Sequence, residues 1–196
     1  ISWLVEAGIT TGTTPTTFTP QANTSRAQMA VFLHRNAGEP APAGQQNFTD
    51  VPTTSFANTA ISWLVEAGIT TGTTPTTFTP QANTTRADMA VFLWRNAGEP
   101  APAGQQHFTD VPTTSYANPA IAWLVEAGIT TGTTPTTFTP QANTTRADMA
   151  VFLWRNAGEP APAGQQHFTD VPTTSYANPA IAWLVEAGIT TGTTPT

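Results

Sequence analysis

The sequence predicts an all-α protein made of tandem helix–loop–helix repeats with long ordered loops. The chain repeats itself after 60 residues, and residues 61–120 differ from residues 121–180 only at Ser62 and Ala122. Each repeat contains two segments with helical spacing of apolar residues and with start and stop signals. Neither segment exceeds about twelve residues, and helices of that length are marginal alone in water. The repeats are therefore expected to pack on one another.

The first helix of each repeat, called helix A, is predicted at about 119–127 from the stretch SYANPAIAWLVEAG. Asn118 suits the N-cap, and Pro119 suits the first helical position. Gly128 predicts the end of the helix. Further copies are predicted at 59–67 and 179–187, with a truncated copy at 1–7.

A loop rich in Gly, Pro and Thr follows helix A at 129–143, and Phe138 is its predicted apolar anchor. The second helix, helix B, is predicted at about 86–97. Its start carries the capping pattern of Thr85 followed by Asp88, which becomes Ser25 and Gln28 in the first repeat.

Charge and composition exclude several functions. The chain has six arginines, no lysine, twelve acidic residues and a net charge of −6, so nothing predicts nucleic-acid binding or attachment to an anionic membrane surface. No apolar run is long enough to cross a bilayer. Cysteine is absent, which excludes disulfides. Low charge, much threonine and no lysine suggest an extracellular bacterial surface protein.

The order of motifs resembles the S-layer homology (SLH) family. The segments FTDVP, AIAWLVEAGITTG, FTP and TTRADMAVFLWR match its F-x-D-V opening, its A-I-x-x-L helix ending in G-I-x-x-G, its F-x-P turn and its T-R-A-E-type second helix. The predicted units are a partial motif without the opening at 1–37, a linker with a complete motif at 38–97 and again at 98–157, and a linker with a partial motif lacking the second helix at 158–196.

The resemblance implies three motifs folded into a pseudo-threefold helical prism or bundle, with ligand sites in grooves beside the T-R-A-E-type helices. It implies non-covalent attachment of an exported bacterial protein to anionic, often pyruvylated, secondary cell-wall polysaccharide. It implies no catalysis and no cofactor. The sequence departs from the family pattern at the Glu of that motif and at a Trp before helix A; these positions hold Gln28, Asp88 and Asp148, and Phe56, Tyr116 and Tyr176.

The arginines at the start of helix B are the main candidate ligand-binding residues. A cation at this end of a helix is disfavoured by the helix dipole, so it needs compensation. One interpretation pairs Arg86 with a protein carboxylate such as Asp50, Asp88 or Asp110. The other combines the guanidinium with free helix N–H groups as an anion site. The predicted anionic-glycan site comprises Arg26, Arg86, Arg146, Ser25, Thr85 and Thr145.

Other residues have two interpretations each. Trp63, Trp123 and Trp183 either pack in the core or between repeats, or form platforms for sugar rings. Asp50, Asp110 and Asp170 are expected to cap turns and are also candidates for orienting a glycan. Arg95 suits its helix end and is expected to pair there with Glu99 or with a helix-A glutamate. The histidines form no pattern of metal ligands.

Two functions follow from the sequence. The leading one is a non-enzymatic module that holds an exported protein on cell-wall polysaccharide. The alternative is a structural protein whose near-identical repeats exchange helices between chains and build extracellular filaments or a surface layer, because heterologous contacts that do not close make open assemblies.

Overall fold

A computed structural model describes residues 16–192, and this part of the chain contains six α-helices and no strand. They are α1 (Arg26–Asn36), α2 (Asn58–Glu66), α3 (Arg86–Asn96), α4 (Asn118–Glu126), α5 (Arg146–Asn156) and α6 (Asn178–Glu186). Helices of type B and type A alternate in this order, which confirms the all-α prediction. The truncated helix predicted at 1–7 lies outside the described residues.

Helix B begins and ends almost where its local signals predict. The Thr85 hydroxyl accepts a hydrogen bond from the Asp88 N–H at 3.1 Å. The reciprocal capping box is complete in α1 and α5. The helix ends at Asn96, one residue earlier than predicted, and Gly98 follows with a positive φ of 84°.

The predicted start of helix A was wrong by one residue. Asn118 is the first helical residue rather than the N-cap, and Ala117 at the N-cap makes no side-chain hydrogen bond. The Asn118 N–H donates to the Ser115 carbonyl at 3.0 Å, and its side chain donates to the Pro112 carbonyl at 3.4 Å. The preceding turn therefore runs directly into the helix and replaces a side-chain cap.

Each helix B packs against the helix A that follows it in the chain, giving the pairs α1–α2, α3–α4 and α5–α6. The loop phenylalanines Phe18, Phe78 and Phe138 are fully buried with these helices. The predicted role of Phe138 as an apolar anchor is confirmed.

Backbone hydrogen bonds join the three repeats in a closed cycle. The Thr24 N–H donates to the Thr144 carbonyl at 2.9 Å, the Thr144 N–H to the Thr84 carbonyl at 2.8 Å, and the Thr84 N–H to the Thr24 carbonyl at 2.9 Å. All three segments before the B helices must meet for this cycle to exist.

The last partial repeat completes the first one. Asp170 accepts hydrogen bonds from the N–H groups of Phe18 at 2.8 Å and Thr19 at 2.7 Å. The Phe18 and Phe168 rings lie 5.6 Å apart between centroids. Near the end of α1, the Arg35 guanidinium donates a hydrogen bond to the carbonyl of Ile189, which follows α6, at 3.3 Å. The C-terminal segment thus lies where a helix A and its F-x-D-V opening belong for the first helix B.

Candidate functional site

The aspartates of the three F-x-D-V openings hold the loops that precede the B helices. Asp110 accepts hydrogen bonds from the N–H groups of Phe138 at 2.9 Å and Thr139 at 2.7 Å. Thr139 has a positive φ of 53°, which is unfavourable for a threonine, and the two bonds fix it there. Asp50, Asp110 and Asp170 each accept two backbone N–H groups, as a capping residue does. The capped backbone lies in a distant loop, so the expectation that they cap the turn beside them in the chain was wrong.

The arginine at the start of each helix B is buried and ties that helix to the loop of another repeat. Arg86 is 7% exposed, and its Nε donates to the Phe138 carbonyl at 2.8 Å. Its guanidinium carbon lies 4.7 Å from the Phe138 ring centroid and 5.3 Å from that of Phe152. Arg26 and Arg146 make the same bond to Phe78 and Phe18. The carbonyl and the two aromatic faces compensate for a cation at this helix end.

Neither sequence interpretation of Arg86 holds in full. Within residues 16–192 its guanidinium forms no ion pair with a carboxylate. The expectation of free helix N–H groups was also wrong, because the Arg86 and Ala87 N–H groups donate to the carbonyls of Ala142 and Pro140. The neighbouring loop uses these donors, so an anion at this place would meet the guanidinium rather than the helix terminus.

A cavity of about 190 Å³ opens beside Arg86, between the second and third repeats. Its walls are the loop at 129–132, one face of α5 and Tyr176. Within the described chain, the bond from Nε is the only hydrogen bond that the Arg86 side chain makes. Its terminal N–H groups are therefore available on the side of the cavity.

A carboxylate lies in the wall of this cavity and is held by its neighbours. The Tyr176 hydroxyl donates to Asp148 Oδ1 at 2.8 Å, and the Thr145 hydroxyl donates to Oδ2 at 2.8 Å. Partial burial of the phenol and this bond raise the pKa of Tyr176 to about 12. Burial lowers the pKa of Arg86, against the attraction of Asp148, Tyr176 and Asp110. The cavity therefore offers both strong donors and a strong acceptor.

The same arrangement recurs one repeat earlier. The Tyr116 hydroxyl donates to Asp88 Oδ1 at 2.8 Å, and the pKa of Tyr116 is likewise raised to about 12 by partial burial and that bond. Burial lowers the pKa of Arg26, which is attracted chiefly by Asp88. Arg26 and Arg86 thus occupy equivalent sites.

The other predicted residues lie around the site rather than in the cavity. Ser25, Thr85 and Thr145 cap the B helices. Trp63, Trp123 and Trp183 are half-buried against the core, and none of them lines the cavity. Arg95 lies 3.5 Å from Glu99, which confirms the predicted pairing at that helix end.

Sequence reasoning did not select Tyr116 and Tyr176 as site residues. The two residues are 61% and 62% exposed, and their hydroxyl groups donate to the aspartates of the neighbouring helix. A signal was present, because tyrosine occurs only in repeats with aspartate 28 residues earlier, whereas Phe56 follows Gln28. Such a paired change indicates contact.

The described residues contain no group of three or more His, Asp or Glu side chains that could hold a metal ion. Among the helices between residues 16 and 192, none has the length and apolar character needed to cross a membrane.

The described chain is thus an array of all-α tandem repeats that pack on one another, with a cavity between two of them. A model of the S-layer homology domain family matches residues 1–30, 47–90, 107–150 and 167–196, so the chain belongs to this family. Domains of this family generally attach extracellular cell-surface proteins to the cell wall. The family is a cell-wall binding family rather than an enzymatic one. No curated protein matches the chain.

Proposed function

We propose that this chain holds an exported bacterial protein on cell-wall polysaccharide without a covalent bond. The three motifs act as one pseudo-threefold helical unit, and the glycan enters the grooves between neighbouring repeats. The observation that carries the proposal is the buried Arg86 beside a cavity, whose terminal N–H groups donate to no described protein atom.

The chemistry of the cavity favours a sugar. A sugar hydroxyl both donates and accepts, and the cavity combines donors on Arg86 with an acceptor on Asp148. The exposed ring of Tyr176 adds an apolar face with a polar tip, which suits the mixed surface of a pyranose. We infer that this cavity of about 190 Å³ receives one sugar unit or substituent at a time.

The overall charge supports local recognition. A chain with a net charge of −6 is repelled at long range by an anionic polymer, so attraction must come from short contacts inside the grooves. A guanidinium partly shielded from water makes strong, directed bonds to carboxylate or hydroxyl oxygens. The B-helix arginines Arg26, Arg86 and Arg146 are therefore the proposed anchors, pyruvate-ketal carboxylates among their candidate ligands.

The test is co-sedimentation with purified cell-wall sacculi. The triple variant Arg26→Ala, Arg86→Ala, Arg146→Ala should remain in the supernatant at a concentration at which the intact chain pellets. The control is the triple variant Gln45→Glu, Gln105→Glu, Gln165→Glu. If it still pellets, the change in net charge does not by itself explain the loss of binding in the arginine variant. This control makes the same change of three charges at exposed linker positions.

A second variant separates binding from folding, because the arginines also join the repeats. Thr71, Thr131 and Thr191 are exposed at equivalent loop positions, and Thr131 lines the cavity. Replacing all three with Trp fills the grooves while leaving every arginine in place. If this variant and the arginine variant both pellet with walls as the intact chain does, the proposal is wrong.

One observation favours the alternative of assembly between chains. Residues 181–192 occupy the position beside the first helix B, and residues 1–16 repeat the sequence of 181–196 except at one position. A second chain carries the same segments and so can supply the same contact. Two results together would favour this function over anchoring. Light scattering of the protein alone would grow with its concentration, and the protein would not pellet with sacculi.

A further inference from the structure

The interface between the third and the first repeat is complete, although the chain does not run directly across it. Between α4 and α5 one continuous loop, residues 127–145, joins a helix A to the next helix B. Between α6 and α1 the same loop consists of two separate pieces, residues 187–192 and residues 16–25. These pieces come from opposite ends of the described chain.

The two pieces meet as the continuous loop does. A Cβ added to Gly192 would lie 2.7 Å from the Thr17 carbonyl oxygen, and a Cβ added at the same position of the continuous loop would lie 2.6 Å from the equivalent oxygen. The Thr169 N–H donates to the Thr16 carbonyl at 2.8 Å, and the matching bond of the continuous loop is 2.9 Å long. Residues 133–135 have no counterpart among the described residues of this interface, so the interface forms without them.

The contacts between repeats are also the same with and without a continuous loop. Across the interrupted interface, Arg146 Nε donates to the Phe18 carbonyl at 2.7 Å. Across the continuous one, Arg86 Nε donates to the Phe138 carbonyl at 2.8 Å. Asp170 accepts two N–H groups of the loop, as its counterpart in the continuous loop does. The interface therefore depends on the surfaces that meet and not on covalent continuity.

These surfaces belong to three hairpins. Each hairpin consists of a loop, a helix B, a linker and the helix A that packs on that helix B. The second hairpin, residues 69–126, and the third hairpin, residues 129–186, are identical in sequence. A hairpin from a second copy of the chain therefore fits the same place as the chain's own hairpin.

The turn at 133–135 is the place at which the chain can open. These residues are exposed, and the turn is held by its own bonds, among them a contact of 2.6 Å between the hydroxyl oxygens of Thr134 and Thr137. Opening the turn loses these exposed bonds, which contribute little, and keeps the interface around it. The turn at 73–75 has the same sequence and the same bond.

We propose that two copies of this chain exchange hairpins through these turns and form a closed dimer. In the exchange at 133–135, each three-hairpin unit contains residues 16–132 of one chain and residues 136–192 of the other. All contacts between hairpins are kept, so the dimer differs from two monomers by the opened turns and by the entropy of association. Both units close, which separates this dimer from the open filaments of the alternative function. The inference needs no glycan and goes beyond attachment to the wall.

The exchange at 133–135 makes the cavity beside Arg86 a shared site. Arg86 and the loop at 129–132 come from one chain, and Asp148 and Tyr176 come from the other. Fully extended, the opened turn spans about 13 Å, so the two units lie next to each other. A dimer thus presents two sets of grooves side by side, and simultaneous contacts to one polymer strengthen attachment.

The test compares refolding at two protein concentrations. The intact chain is unfolded in urea and refolded at about 10 μM or about 1 mM, because a short flexible connection gives an effective concentration on the order of mM. Size-exclusion chromatography with light scattering then gives the mass. The chain should be monomeric at the lower concentration and substantially dimeric at the higher one. By mass action, the ratio of dimer to monomer should rise about tenfold for each tenfold rise in monomer concentration.

Cysteine pairs that lock both turns provide the decisive variant. The chain has no native cysteine. The hydroxyl oxygens are 2.6 Å apart in each pair, so Thr74→Cys, Thr77→Cys, Thr134→Cys, Thr137→Cys is expected to form one disulfide within each turn. Oxidised before unfolding, this variant should remain monomeric after refolding at about 1 mM. The same variant with reduced cysteines is the matched control and should dimerise as the intact chain does.

A second measurement uses the intact sequence alone. A tagged and an untagged copy are unfolded, mixed and refolded together at the higher concentration, and the product is captured through the tag. The untagged copy should be captured from this sample. It should not be captured when the two copies are refolded separately at the lower concentration and then mixed, because exchange requires a folded unit to open.

Three other outcomes would overturn the proposal. If the intact chain stays monomeric at about 1 mM and the tagged copy captures no untagged one, no exchange occurs. If the oxidised variant dimerises, association runs through outer surfaces. A series of species larger than a dimer would mean open assembly rather than a closed exchange. No wall material is present, so none of these results bears on the proposed attachment to the wall.

Discussion

Replacing Asp170 with Ala tests whether the last partial repeat closes on the first in solution. The Asp170 carboxylate accepts two backbone hydrogen bonds, from Phe18 at 2.8 Å and Thr19 at 2.7 Å. Asp110 makes the matching bonds to Phe138 and Thr139 at 2.9 and 2.7 Å. Asp170→Ala and Asp110→Ala therefore each remove two equivalent hydrogen bonds. The two variants differ in the number of residues between the aspartate and its partners.

The local loss is set by the two bonds. A hydrogen bond to a charged group contributes roughly 1.5–3 kcal/mol, and we take the lower end because these backbone groups are only partly buried. Each variant should then lose about 3 kcal/mol of unfolding free energy, a large part of the roughly 5–15 kcal/mol typical of a domain.

Chain separation makes the two variants behave differently. Asp170 and Thr19 are 151 residues apart, whereas Asp110 and Thr139 are 29 apart. Closing the longer loop costs about 1.5 kcal/mol more entropy by the logarithmic dependence on loop length. Opening is thus easier at Asp170, and hydrogen exchange at 16–24 and 184–192 should accelerate in Asp170→Ala before the rest of the chain unfolds.

Urea unfolding and residue-resolved hydrogen exchange measure both effects. If Asp110→Ala loses about 3 kcal/mol while Asp170→Ala unfolds like the intact chain and exchanges no faster at either end, closure of the last repeat on the first does not contribute to stability in solution. Equal losses without faster exchange at the ends would refute the loop-length argument alone.

Three further predictions concern titration, the axis of the repeats and the loops. The chain's two tyrosines, Tyr116 and Tyr176, should ionise near pH 12 when folded and near 10 when unfolded, as followed by ultraviolet absorbance; their contribution to stability is complete below pH 10 and is lost as the pH rises toward 12. Thr84→Val should raise the unfolding free energy by about 1 kcal/mol, because the fully buried hydroxyl has no partner in the described chain; a loss in urea unfolding would show that it has one. Gly132→Ala should cost roughly 2–3 kcal/mol in the same assay, because φ is +88° and a Cβ would lie 2.5 Å from a phenylalanine ring carbon. Gly128→Ala, with φ of +71° and no atom within 4 Å of the added Cβ, should cost only about 1 kcal/mol.

The sequence was sufficient for features that depend on a few neighbouring residues. The capping pattern of Thr85 and Asp88 predicts the start of α3, and Gly128 predicts the end of α4, because both signals act through the backbone of adjacent residues. The family resemblance also rests on such short patterns, and the family match confirms it. The error at Asn118 arose because a hydrogen-bonded turn, which is less evident in the sequence, supplied the cap.

The site depends on contacts that local patterns do not reveal. Asp110 was expected to cap the next turn, but it holds a loop in the adjacent part of the fold. Arg86 was expected to meet either an acid or a ligand, and its first partner is a carbonyl of another repeat. The packing of α6 on α5 places Tyr176 beside Asp148. The spacing of 28 residues between them is visible in the sequence, but its meaning requires the packing.

Each B-helix arginine has two roles, since it holds a loop of another repeat and is the proposed contact to the glycan. A variant that removes the arginine therefore tests both roles at once. The Nε–H of Arg86 holds the loop of another repeat, and its terminal N–H groups remain beside the cavity. An alanine at this position removes both, so loss of wall binding by that variant can follow from loosened repeats as well as from a missing ligand contact. A tryptophan at Thr131 alters only the cavity, since the guanidinium and its carbonyl partner are untouched. Agreement between the two variants therefore locates binding in the groove. A defect confined to the arginine variant would assign these arginines to holding the repeats together.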